Sequence, residues 1–242
     1  MQTPLVAAIA LLSTASLLLA QGDARRLKAG TFLYAAPDVH SPGFTQSVVL
    51  LVEHGPEGSL GLIVNRPTRT PVREVLKELG PLDLALHFGG PVQTDAVLGL
   101  VRSASPVRGA SRVLPDVYFS TELEPLKVAA RAPDVTSRLR VYAGYAGWGP
   151  GQLANELRQA VWVVGPADAR SVFSAEPETL WPRVHDLLRR IEVRARLSEG
   201  LDTAGRWGDP LDRRAVTRPP RRSQRCQGLL RDGIFSSRPP WA

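Results

Sequence analysis

YAGYAGWGPGQLANEL, residues 142–157, sets four glycines, two tyrosines and a tryptophan in front of a helix-like run. Glycine has no Cβ, so it takes positive φ and lets one backbone pass close to another. Pro150 suits the first helical position, and Leu153, Leu157 and Ala160 can face a core. The stretch is a tight strand-to-helix elbow with Trp148 held at its tip. Gly147, Trp148, Gly149, Gly151 and Gln152 form a candidate ligand-binding set: main-chain N–H donors, an apolar ring and a polar amide. The glycine spacing fits neither G-x-G-x-x-G nor G-x-x-x-x-G-K-[ST], so no nucleotide-phosphate loop is implied. A purely structural reading competes, in which the glycines serve a sharp bend and Trp148 packs over it.

Upstream, SVVLLVEH, GPEG and SLGLIVN (residues 47–65) place two runs rich in β-branched residues around a four-residue turn. Pro56 and Gly58 suit positions i+1 and i+3 of a type I turn. Val48–Val52 is apolar without alternation, which predicts a strand buried on both faces. Thr31–Pro37 predicts another short strand, ended by its proline. TPVREVLKELG (Thr70–Gly80) predicts a helix with Thr70 as N-cap, Pro71 at the first position and Gly80 as the stop. Val72, Val75, Leu76 and Leu79 would form its apolar stripe. Further strands are expected at 86–88, 97–101, 117–120, 140–145 and 161–164, and further helices at 150–159, 166–173 and 180–191. Strands and helices do not alternate strictly, which favours α+β over a doubly wound sheet.

The apolar share of 43% and charged share of 22% are ordinary for a soluble globular protein. Cys226 is the only cysteine, which excludes an intramolecular disulfide and a cysteine-built zinc site. The net charge of +7 is concentrated in residues 201–242, where nine Arg face four Asp. Residues 197–242, rich in Arg, Pro, Ser and Gly, read as a disordered tail. At the other end, Leu5–Ala20 is sixteen residues without a charge. That is short of the about 20 a stable membrane span needs, and about right for a signal-peptide core. Gly22-Asp23-Ala24 offers a cleavage site, although MQTP carries no basic side chain. Residues 1–24 therefore read as an export leader or an apolar extension, and residues 27–196 as a single domain.

GWGPGQLANEL, taken with FLYAAP, EHGPEGSLGLIVNRP and FGGPV in that family's order, resembles the YqgE/AlgH family of bacterial proteins. AVW (Ala160–Trp162) and LW (Leu180–Trp181) follow as in the family, so the resemblance runs from about Leu27 to Leu188. It implies a single α+β domain whose bent, mixed but mainly antiparallel sheets form a pseudo-barrel flanked by helices. It implies no enzyme: the family lacks an agreed biochemical activity, and its "transcriptional regulator" label rests on a link to alginate production. It also implies a cytoplasmic location, against the export that residues 1–24 favour. Three departures stand out. Relatives start near Leu27; many carry cysteine where this chain has Val52; and HSPGF (His40–Phe44) replaces an Asp-Pro-x-Phe pattern.

Other residues invite chemistry. In Glu53-His54 an imidazole that titrates near neutrality adjoins a carboxylate, yet neighbours on a strand point to opposite faces. Asn65-Arg66 lies at the far end of the partner strand. If Gly55 pairs with Gly58, Asn65 falls opposite Val48, roughly 16 Å from Glu53 at about 3.3 Å per residue. Gly89 and Gly90, in HFGGPV after His87, resemble an esterase oxyanion loop, but no serine stands in a G-x-S-x-G frame. The four histidines have no paired-ligand spacing, so neither metal nor cofactor is expected. In the tail, Arg213, Arg214, Arg221, Arg222 and Arg225 could grip phosphates, without the interleaved aromatics of nucleic-acid binders. The function expected is non-catalytic: capture of a small ligand or protein partner at the elbow. The alternatives are a DNA-associated regulator using the tail and, behind it, an enzyme using His54 or His87.

Overall fold

The structure is a computed structural model that describes residues 27–41, 43–187 and 189. The leader-like segment, the tail with its arginines, and the end of the helix expected at 180–191 lie outside the described residues.

Among the described residues ten strands run in chain order: β1 Thr31–Ala35, β2 Val48–Gly55, β3 Gly58–Ile63, β4 Pro67–Pro71, β5 Ala85–Phe88, β6 Val92–Arg102, β7 Ser111–Leu114, β8 Val117–Ser120, β9 Leu139–Trp148 and β10 Trp162–Pro166. The main ladder is β10-β1-β2-β3-β9-β6-β8-β7, with β4 and β5 attached as a side pair. Pairing is antiparallel except where β5 lies parallel to β9. The whole is a strongly curled sheet, a half-barrel flanked by helices, and an α+β fold.

Strand β9 makes the curl. Its C-terminal part pairs with β3, from Ser59 opposite Trp148 to Gly61 opposite Ala146. Its N-terminal part pairs with β5, from Leu86 opposite Val141 to Phe88 opposite Ala143. Along its other edge runs β6. Where one neighbour gives way to the next, Gly144 takes φ +69° and Gly90 takes φ +153°. A Cβ on Gly89 would overlap the Gly144 carbonyl, and one on Gly90 would overlap the Tyr145 carbonyl. FGG is therefore a crossing of two backbones, where glycine alone fits.

The strands alternate their side chains between an inner and an outer core. Val48, Leu50 and Val52 of β2 join Phe32, Leu62, Leu100, Tyr142 and Phe173 in the cluster that draws on both halves of the curl. Val49 and Leu51 join Leu33, Ile63, Trp148, Leu153 and Trp162 on the other side. Burial on both faces explains the unbroken apolar run. The hairpin forms as expected, with Gly55 opposite Gly58, but a bulge at Val52 slips the register by one so that Val49 faces Ile63.

The helices are shorter than their patterns promise. Only Val72–Val75 winds as α1; Leu76 (φ −131°, ψ 76°) breaks it, and Lys77–Leu79 forms a 3-10 turn. Pro71 precedes the helix rather than starting it, because β4 continues to Pro71 in register with Ala85. Breaking the helix lets Val72 and Leu79 both bury in a third core, and it leaves Val75 43% exposed, off the expected stripe. Leu123–Ala130 (α2) and Val135–Arg138 (α3), not anticipated from the sequence, join α1 on that side. The helix expected from Pro150 begins at Gln152 and ends at Arg158 (α4), with Gly151 as N-cap. The one expected from Pro166 spans Ala169–Val172 (α5), capped by Asp168. Among the described residues no helix is long and apolar enough to cross a membrane.

Candidate functional site

The elbow is built on one carboxylate. Glu156 Oε2 accepts the indole N–H of Trp148 at 2.8 Å and that of Trp162 at 2.7 Å. Its Oε1 accepts from Gln152 Nε2 at 2.9 Å, and Gln152 Oε1 accepts the Gly149 N–H at 3.1 Å. The two indoles meet edge to face at 5.9 Å, and Phe44 packs on both. The expectation that Trp148 offers its ring to a ligand is overturned: only 5% of it is exposed, sealed in the outer core under α4. Nor is the Gly149 N–H free, since Gln152 takes it. What remains at the surface is a rim, Gly149 to Gln152, all four residues exposed.

Beside the rim lies the β2–β3 turn. Gly58 backs onto the Trp148 carbonyl and Gly149, with no room for a Cβ. His54, Gly55, Pro56 and Glu57 are exposed there, while Glu53 is half-buried. His54 Nδ1 and Ser59 Oγ hydrogen-bond at 2.7 Å, so His54 is tied to the hairpin partner that its register predicts and not to Glu53. Burial raises the Glu53 pKa and lowers that of His54. Two of the candidate sets, Glu53-His54 and the elbow, thus adjoin.

Asn65 and Arg66 stand apart, at the other end of the hairpin. Asn65 Oδ1 accepts the Val48 N–H at 2.8 Å and its Nδ2 donates to the Gln46 carbonyl at 2.9 Å. Arg66 donates to the carbonyls of Gly43 and Thr45 and lies over Phe88. Both residues pin the 43–48 segment. Gly89 and Gly90 are buried in the backbone crossing and offer nothing to a ligand. His87 is 4% exposed, with its Nδ1 facing the Ala85 carbonyl. Among the described residues no three His, Cys, Asp or Glu side chains gather where a metal could sit. The residue that organises the elbow, Glu156, escaped the sequence reading; its signal was its place four residues after Gln152, on the same helix face.

A curled, mainly antiparallel sheet, helices on its outside and a glycine-rich elbow stapled by an acid define a half-barrel α+β protein. A family model described as AlgH-like matches residues 32–193, and the chain belongs to that family. A UPF0301 protein of Chlorobium luteolum is 36% identical over 160 residues, covering 66% of this chain and 85% of its own. One from Streptomyces coelicolor is 39% identical over 170 residues, with the same two coverages of 66% and 85%. Among solved structures, the solution structure of AlgH from Pseudomonas aeruginosa is similar at TM-score 0.52 and 32% identity, covering 75% of this chain and 95% of that one. A crystal structure of a Corynebacterium diphtheriae protein reaches TM-score 0.57 at 27% identity, covering 66% and 86%.

Proposed function

We propose that the chain is a non-catalytic binding protein that engages a protein partner through one surface, the Gly149–Gln152 rim and the adjoining Gly55–Gly58 turn. The observation that carries this reading is the Glu156 staple beneath an exposed rim: two buried indoles and Gln152 fix the loop from below while its own backbone faces solvent. Loops held by a rigid scaffold are where recognition concentrates. A loop already ordered escapes the cost of ordering on binding, about 0.5–1.5 kcal/mol per side chain. With the indole sealed, what is left exposed is the loop Gly149–Gln152 and the turn residues Gly55, Pro56 and Glu57, which suits a protein partner better than a small apolar ligand.

A photo-crosslinking residue at position 57 or 149, in cells of the native host, tests this. Gly149 tolerates it, since a Cβ there meets nothing nearer than Gln152 Oε1 at 4.0 Å. The expected result is a discrete adduct from both positions, none from exposed Glu124 on α2, and loss of the position-57 adduct in Gly149→Glu with Tm unchanged. Equal labelling from all three positions, or from none, refutes the surface.

A further inference from the structure

Three polar atoms inside the curl have no protein partner: His87 Nε2, Arg140 Nε and Tyr142 Oη. Their side chains share one face. His87 on β5 stands opposite Tyr142 on β9, with ring centroids 5.5 Å apart. Arg140 lies two residues before Tyr142 on β9, hence on the same side. All three residues are at least nine-tenths buried.

Their other side-chain nitrogens each have a protein partner. Arg140 Nη1 donates to the carbonyls of Thr136 and Leu139, Nη2 donates to that of Ser174 at 2.9 Å, and Phe173 covers the guanidinium at 5.6 Å. Only Nε–H is left. His87 Nδ1 lies 3.2 Å from the Ala85 carbonyl, which can only accept, so Nδ1 carries the proton and the neutral ring turns a bare lone pair inward. Burial keeps Tyr142 in its hydroxyl form. Among the described residues Arg140 forms no ion pair. A buried cation without a counter-charge is costly, and unmatched donors add to that cost. A water would meet the hydrogen bonds but put no negative charge against the guanidinium. The geometry points to a seat for one compact monovalent anion, of chloride size, between Arg140 Nε–H, Tyr142 O–H and the His87 ring.

Without the anion, burial first and Arg140 second hold the His87 pKa down at about 4, so Nε2 is unprotonated near neutrality. Seating the anion puts a proton from solvent on Nε2, which turns a repelling lone pair into a third donor. One anion and one proton bind together, and the charge of the seat is unchanged. The residues facing it in register from β4 and β6 are Pro67, Leu98 and Leu100, and α5 is followed by Phe173, so no further titratable group faces His87 from these elements. Between the anion-free and anion-bound values of His87, affinity falls about tenfold for each pH unit gained.

The full chain is melted in chloride or bromide against gluconate, too bulky for the seat, at fixed ionic strength and at pH 5 and 7. The expected result is a saturable rise in Tm with halide, at up to about a hundredfold lower halide at pH 5 than at pH 7. Tyr142→Phe, which removes a hydroxyl with no partner and so keeps the fold, weakens the response. His87→Gln, which donates without titrating, keeps the response and loses its pH dependence. A bromide-soaked crystal shows anomalous density between the three side chains. Equal Tm in halide and gluconate at both pH values overturns the proposal, as does bromide density only elsewhere, or a Tyr142→Phe response equal to that of the parent.

Discussion

Glu156 shows how one side chain gives the elbow its shape. Both indole N–H groups converge on one of its oxygens, and buried donors cannot turn to water when that oxygen is removed. Glu156→Ala is therefore expected to cost about 2–4 kcal/mol, from two unmatched indole donors, read by denaturant unfolding with tryptophan fluorescence. Glu156→Gln keeps one carbonyl oxygen for the indoles but turns an amide toward Gln152 Nε2, and should cost about half as much. If Glu156→Ala unfolds at the parent's midpoint, the staple carries no stability. The letters alone make Trp148 and Gln152 conspicuous but do not say that the ring is sealed. Exposure there depends on Phe44 and Trp162, which arrive from remote positions in the chain.

At the scale of elements, what was legible rested on local chemistry. The β2–β3 hairpin follows from Gly55-Pro56-Glu57-Gly58 and from apolar runs whose length and branching suit strands. The bulge at Val52 has no residue signature and was not legible. The 3.6-residue stripe of Thr70–Gly80 is real in sequence, yet pairing of β4 with β5 holds Pro71 extended. Tertiary contact outweighs a propensity worth tenths of a kcal/mol per residue. Asn65, a candidate for chemistry, instead supplies a backbone substitute where the ladder ends. Asn65→Ala leaves the Val48 N–H and the Gln46 carbonyl unmatched, with an expected cost of about 1–3 kcal/mol and faster hydrogen exchange at Val48. Unchanged exchange at Val48 refutes that role.

For the whole molecule, two tests probe how the halves of the curl meet. Gly90→Ala drives a methyl into the Tyr145 carbonyl at a φ that L-residues avoid, and should cost more than about 4 kcal/mol, seen as loss of the folded circular dichroism signal at room temperature. A folded variant near parental stability would show that the crossing can relax. His87 gives a pH signature. Its folded pKa, about 4, lies below the ordinary imidazole value of 6.5, so the native state takes up its proton late. The stability it protects is complete above about 6.5, shrinks as pH falls toward 4 and levels off below, a loss of about 3 kcal/mol. In gluconate buffer the parent should lose stability over that window relative to His87→Gln; parallel curves refute it. Both features join stretches distant in sequence, which is why FGG reads as a loop and His87 as an isolated histidine until β9 is in place. The sharing of β9 also governs synthesis. Before Leu139–Trp148 leaves the ribosome, the described residues of the nascent chain form separate ribbons, β1–β3, β4–β5 and β6–β8, with no ladder among these and open edges on each. Closure must wait for that late segment, so stalling translation ahead of residue 139 yields a sticky intermediate that holdase chaperones should bind, and release of the finished seam should end their hold.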